Sequence, residues 1–419
     1  MQIRGQIVQG LALKIYNMAI ALITSVMLAR WLGPTNLGIY SFWISVASGI
    51  AIPAALGAHI YLIRETSANR RDDQKTLLKK IHGLANVYFG AIILIITLAA
   101  IEIQMDTKIL VAVLCIFIST SFQAHARITE GYLQGTQRPI RGQLVERLVF
   151  PTLYICILAF SVTIEPLSVL SASLAYVVAG ALSLLFFQFM GVKASFTRLT
   201  TLRIPNNDLV VAILRMSLVS ALSFIMMQSD IVMLGLLRPP EDVGVYKVAV
   251  SIAALPVIFI SPMTVILAPL IVRSFKTNRK YIQQRLLSRF VELSLLLAIP
   301  TTIIGTVYTD QVINILYGGS FIKASLPTQI LIVSQLINLA TGFPHLVLNM
   351  TGKETTVIRV ISTAALVNIS MNLILVPSLG PEGAAAATGS ALLVTNIFLT
   401  IICIKKYRVN TSVLGIFSK

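Results

Sequence analysis

Twelve long apolar runs constrain this chain more than any other feature. They lie near residues 7–31, 38–61, 82–101, 107–126, 142–163 and 167–190, and then near 209–236, 244–271, 286–307, 325–349, 356–377 and 382–404. A helix that crosses the hydrocarbon of a bilayer needs about 20 mostly apolar residues. In that medium a lone segment must satisfy its backbone within itself, so each run is expected to be a helix. The connections are short and leave no room for a large soluble domain. Charged residues make up 12% of the chain, about half of the roughly 25% usual in soluble domains. The sequence therefore predicts an all-α polytopic membrane protein of about twelve transmembrane helices.

The net charge of +17 does not point to nucleic acid, because the bases sit in short segments between apolar runs. With the N-terminus placed in the cytoplasm, cytoplasmic segments hold 23 of the 33 Lys and Arg residues. The opposite side holds four: Arg30, Lys108, Arg238 and Lys323. This asymmetry predicts that both termini are cytoplasmic. Cys115, Cys156 and Cys403 each lie alone in an apolar run and read as small buried side chains, with no disulfide framework and no metal site. The N-terminus lacks the h-region and cleavage site of a signal peptide.

The two sets of six runs repeat one another. Leu32-Gly33-Pro34 with Gly38 and Tyr40 follows the first run, and Leu237-Arg238-Pro239 with Gly244 and Tyr246 follows the seventh, 206 residues later at the glycine and tyrosine. Pro53 lies in run two, and Pro256 and Pro262 lie in run eight. Six helices separate the copies, so both insert with the same orientation. The expected organisation is an N-terminal lobe over 1–190, a cytoplasmic linker over 191–208 and a C-terminal lobe over 209–419. Parallel repeats of this kind form two six-helix lobes with a substrate path between them.

Three stretches carry a family resemblance: Ala29-Arg30-Trp31-Leu32-Gly33-Pro34 with Gly38 and Tyr40; Asp230 through Gly235 with Gly244-Val245-Tyr246; and Val376 through Thr388. Together they resemble the Wzx-type O-antigen and capsule flippases of the multidrug/oligosaccharidyl-lipid/polysaccharide (MOP) superfamily. The resemblance implies a V-shaped fold of two lobes in a bacterial inner membrane. It implies, as substrate, an oligosaccharide on undecaprenyl pyrophosphate, carried from the cytoplasmic to the periplasmic leaflet by alternating access. Membrane lipid, a polysaccharide polymerase and a chain-length regulator are the other expected partners. No cofactor is expected beyond H⁺ or Na⁺ as the coupling ion.

A path for sugar and diphosphate should be polar and preferably cationic. Apart from Arg30 and Lys108, which stand at run ends and are counted with the connections, six bases lie within the runs: Lys14, Arg147, Arg215, Lys247, Arg289 and Arg359. Arginine offers a phosphate two parallel hydrogen bonds, and lysine a mobile point charge. Lys14 shares a helix face with Gly10, Asn17, Ala21 and Thr24, and Arg215 lies at similar depth in the second copy; these two are the best cationic candidates. Arg147, Arg289 and Arg359 begin their runs and can snorkel to headgroups, and Glu292 is spaced to neutralise Arg289. Run ten carries Gln335, Asn338, Gly342, His345 and Asn349 on one side of a helix that Pro344 can kink. Run eleven adds Asn368 and Asn372. Amides of this kind match sugar hydroxyls, or else join helices. For Asp230 two roles fit: a coupling site for a proton or sodium ion, in which Glu292 is the second candidate, or a structural partner for Lys247 or Arg215. The substrate-binding candidates are therefore Lys14, Asn17, Arg147, Arg215, Lys247, Asn338, His345, Asn349, Arg359 and Asn368. A drug or metabolite antiporter of the same superfamily shares the expected fold. A polysaccharide polymerase or ligase would need a larger catalytic loop than any connection here provides.

Overall fold

The computed structural model describes residues 2–68, 71–190, 207–276 and 280–416. Of the expected linker, residues 191–206 lie outside the described residues. Every regular element among the described residues is helical, and ten helices are long and apolar enough to cross a membrane. Helix α3, Arg71–Glu102, leaves Leu94, Ile95, Leu98 and Ile101 exposed. Such bands suit hydrocarbon and not water. The chain is a multi-pass membrane protein.

The count differs from twelve because prolines and glycines divide or merge the runs. Runs one and two share α1, Gln2–Ile50, which continues through a non-helical Gly33 with φ of 71°. Run two then breaks at a π-turn, Pro53–Gly57, before α2, Ala58–Ala68. Proline lacks the N–H of the helical ladder, so the chain rewinds locally there. Run eight breaks in the same way: α9, Pro240–Ala253, gives way to a 3₁₀ turn over Leu255–Phe259 around Pro256. The matching breaks give the proposed repeat a structural expression.

The chain divides into two compact units. The first comprises residues 1–32 and 39–221, the second residues 33–38 and 222–419. In the first, α4 (Thr107–Gly135) is the central helix. It packs against α2, α3 and α7 (Val169–Phe189). Between α4 and α7 the chain runs through α5 (Pro139–Leu144), a π-turn (Val145–Val149) and α6 (Phe150–Ile164). The start of α8, Asn207–Leu237, places Ile213 in this unit's core beside Leu62, Ile81 and Ile128.

The second unit repeats this plan with α9, α10 (Ile260–Lys276), α11 (Lys280–Val307), the short α12 (Thr309–Leu316), α13 (Ser325–Thr341), α14 (Pro344–Met350), α15 (Glu354–Leu379) and α16 (Pro381–Tyr407). Helix α13 packs on α9, α11 and α16, and α10 packs on α14. Apolar burial gains little between helices in lipid, so close packing of small residues must hold them. Accordingly α16 buries Gly383, Ala384, Ala385, Ala387, Gly389 and Ala391. The two repeated glycines meet within this unit. A Cβ on Gly38 would strike the carbonyl of Pro240, and one on Gly244 would strike the carbonyl of Pro34.

Candidate functional site

Asp230, two turns before the C-terminal end of α8, is the centre of the most complete polar cluster in the second unit. Its carboxylate is 4% exposed. Oδ1 accepts from Asn368 Nδ2 at 3.1 Å and from Asn372 Nδ2 at 2.7 Å. Oδ2 accepts from the Tyr246 hydroxyl at 2.9 Å and from the Thr388 hydroxyl. Four donors thus come from α9, α15 and α16. The spacing of Asn368 and Asn372 puts both amides on one face of α15. A buried charge is tolerable only when hydrogen bonds replace its hydration, and four do so here. Ser229 also donates to Asn368 Oδ1 at 2.6 Å. Asn372 Oδ1 is buried with no hydrogen-bond partner.

This arrangement changes two expectations. Asp230 bonds neither Lys247 nor Arg215; its partners are uncharged. Asn368, expected to face sugar, is wholly buried on Asp230. The carboxylate, two amides and two hydroxyls form an oxygen-rich donor set suited to a hard cation or a proton. Amide oxygen and nitrogen are interchangeable by a flip of the side chain, so Asn372 can present either atom.

The first unit gathers a different group. Lys14 on α1 and Arg147 in the π-turn stand close enough for their charges to interact. Asn17 Nδ2 donates to the Arg147 carbonyl at 3.3 Å. Arg127, on α4, pairs with Glu146 at 3.0 Å. The other bases do not gather. Arg215 is exposed on α8, Lys247 is half-buried on α9, and Arg359 is exposed on α15. Arg289 and Glu292 are both exposed on α11, and the expected pair between them is not formed. Among the described residues none of the six bases within the runs has an ion-pair partner.

The polar stripe of run ten is divided. The helix ends at Gly342, with φ of 76°, and restarts with Pro344 in the first turn of α14. Proline is at home there because its missing N–H has no intrahelical partner. Before the break, Asn338 Nδ2 donates to Gln335 Oε1 at 3.0 Å and Asn338 Oδ1 accepts from Asn396 on α16 at 3.0 Å. Beyond it, exposed His345 and half-buried Asn349 bond each other at 3.1 Å. Cys156 is exposed on α6, unlike buried Cys115 and Cys403. Sequence reasoning gave no role to Tyr246, Thr388 or Glu130, which the fold places in polar clusters. A tyrosine 206 residues after Tyr40 was the available signal for the first of these.

A family model described as "Polysaccharide biosynthesis protein" matches residues 6–275. The probable low-salt glycan biosynthesis flippase Agl15 of Haloferax volcanii is 27% identical over 173 residues; the match spans 40% of this chain and 36% of that relative's length. The fold is similar to that of an inward-facing multidrug resistance MATE family transporter of the MOP superfamily (TM-score 0.73, 14% identity, 96% of this chain and 99% of the other). It is similar to the lipid II flippase MurJ in an inward closed conformation (TM-score 0.70, 14% identity, 95% and 88%). It also resembles a MOP superfamily transporter from Pyrococcus furiosus (TM-score 0.65, 14% identity, 96% and 95%).

Proposed function

Because the chain belongs to the family of polysaccharide biosynthesis proteins, we propose that it is a flippase for oligosaccharides linked to undecaprenyl pyrophosphate. It moves these units from the cytoplasmic to the periplasmic leaflet of a bacterial inner membrane, with both termini in the cytoplasm, during O-antigen or capsule assembly. The partly matching relative named as a glycan flippase supports this reading, as does the fold shared with a lipid II flippase.

One observation carries the choice of substrate class. Six bases lie in membrane-crossing runs, and among the described residues none makes an ion pair within 4.0 Å, although the charge of Arg147 acts on Glu130 and Glu146. Each costs roughly 2.5–3.5 kcal/mol near the centre of a bilayer on insertion scales. Two of them, Lys14 and Arg147, are held near one another despite repulsion. A diphosphate headgroup offsets that cost, because its charge and oxygens match lysine and arginine. The amides of Asn17, Asn338 and Asn349 and the imidazole of His345 offer hydrogen bonds of the sort that sugar hydroxyls use.

The driving force is an ion gradient, with H⁺ or Na⁺ held by Asp230, Asn372, Asn368 and Thr388. A polymerase and a chain-length regulator then use the delivered units. Deletion in the parent organism tests the proposal. It should abolish surface polysaccharide and leave lipid-linked units on the cytoplasmic leaflet. Normal polysaccharide with heightened drug sensitivity would instead mark a drug exporter.

A further inference from the structure

A second group of acids lies in the first unit, away from the Asp230 cluster. Glu130 on α4 is 4% exposed. Its carboxyl lies within hydrogen-bonding reach of the Glu146 carboxyl. Gln134 Nε2 donates to Glu130 Oε1 at 2.8 Å, and Arg127 Nε donates to Glu146 Oε1 at 3.0 Å. From α2, half-buried His59 bonds the Arg127 carbonyl through Nδ1 at 2.9 Å and lies within electrostatic reach of Glu146. The charge of Arg147 acts on both acids and on Lys14 of α1, and that of Arg127 acts on Tyr176 of α7.

Two buried carboxylates cannot stay this close with both ionised. Arg127 supplies a positive donor to Glu146, whereas Glu130 accepts from the neutral amide of Gln134. Glu146 is therefore the anion and Glu130 the acid that donates to it. The backbone is built for this meeting. The π-turn at Val145–Val149 inserts one residue, which turns Glu146 by roughly 100° relative to a regular helix. Gly142 lets α5 lie directly on Glu130, because a Cβ there would stand 2.7 Å from Glu130 Cγ.

We propose that Glu130 and Glu146 form a proton-binding site, and that release of the shared proton drives α5 and its π-turn away from α4. The ligand is the proton itself. When it leaves Glu130, two adjacent carboxylates repel across the point where α5 rests on α4. Arg127 satisfies only one of them. The site does not depend on what the protein carries.

Purified full-length protein in lipid nanodiscs provides the test. Dicyclohexylcarbodiimide modifies protonated carboxyls in apolar surroundings, and mass spectrometry locates the adduct. Glu130 should be labelled at neutral pH, and the label should vanish along a one-proton curve as pH rises. Hydrogen exchange over residues 139–149, corrected for its intrinsic pH dependence, should accelerate over the same range. Glu130→Gln keeps an N–H donor toward Glu146, so it should abolish the label and hold exchange slow at every pH. Glu146→Gln frees Arg127 for Glu130, so labelling at neutral pH should drop. No label on Glu130 in the wild-type protein at any pH overturns the proposal. So does an exchange profile that is the same in wild type and Glu130→Gln. Should either variant fail to accumulate, the wild-type labelling and exchange curves decide by whether their midpoints coincide.

Discussion

Replacing Asp230 separates a cation site from a structural knot. In Asp230→Ala, four donors lose their acceptor inside the second unit: Tyr246, Thr388, Asn368 and Asn372. A buried donor left unsatisfied costs about 1–3 kcal/mol, and hydrogen bonds between membrane helices average about 0.6 kcal/mol. The four together are then worth about 2–4 kcal/mol or more. Net stabilities are about 5–15 kcal/mol, so the alanine variant should unfold at a clearly lower temperature and accumulate less than wild type. Asp230→Asn differs. Its amide oxygen still accepts from one side, and the two hydroxyls can turn to accept from its NH₂. That variant should lose only about 1 kcal/mol and reach normal abundance without its charge. The assay is thermal unfolding of purified protein while sodium replaces a bulky inert cation at constant ionic strength, and separately while pH is varied. Wild type should gain stability as the bound cation rises, about 2.7 kcal/mol at a hundredfold excess over Kd. Asp230→Asn should show no gain. If Asp230→Asn keeps the full cation-dependent gain, Asp230 is not the site.

Lys14→Arg should retain much of the ability to restore surface polysaccharide, Lys14→Ala should lose most of it and Lys14→Glu more, each normalised to protein in the membrane. Full activity of Lys14→Ala would remove Lys14 from the substrate path. Gly38→Ala and Gly244→Ala each place a methyl group on a facing carbonyl and should lower thermal stability by about 1–3 kcal/mol. The double variant should cost less than the sum because both changes open one contact. A cysteine at Asp106 or Ser320 should react with an impermeant thiol reagent added outside intact cells, and one at Gln137 or Lys353 should not. The reverse pattern would invert the topology.

The helices were legible because apolar length is a property of contiguous residues, and the prolines at which runs two and eight break were visible, though used there only as marks of the repeat. The merging of the first two runs into α1 was not legible. Gly33 and Pro34 look like a loop, but Gly33 takes the positive φ alone and the helix resumes at once. Glu130 escaped notice for a related reason. Arg127 and Glu130 end the apolar stretch of run four, whereas the helix continues to Gly135, and this part of α4 packs on α2 and α5. Asp230 stood out as an acid on a membrane helix, yet its role depends on Tyr246, Asn368, Asn372 and Thr388. Those lie 16 to 158 positions away in sequence. No local pattern announces a carboxylate whose partners arrive from three other helices.

The repeat shows what distinguishes the copies. Tyr40 and Tyr246 are 206 residues apart, as are Thr24 and Asp230, and Tyr176 and Thr388 are each the eighth residue of their helices. In the first unit Thr24 bonds only its own helix, at the Ile20 carbonyl. Tyr40 there meets the hydroxyl of Tyr154 at 2.6 Å, and the ring of Tyr176 stands edge-on to both. In the second unit the equivalent tyrosine donates to a carboxylate, and a threonine stands where Tyr176 would be. Aromatic bulk fills the first position, so it has neither the charge nor the small oxygen donors that a cation needs. The second has both, gained by exchanging a threonine for an aspartate and a tyrosine for a threonine within the same helix packing. Two copies of one bundle can thus share an architecture while only one carries a site of this chemistry.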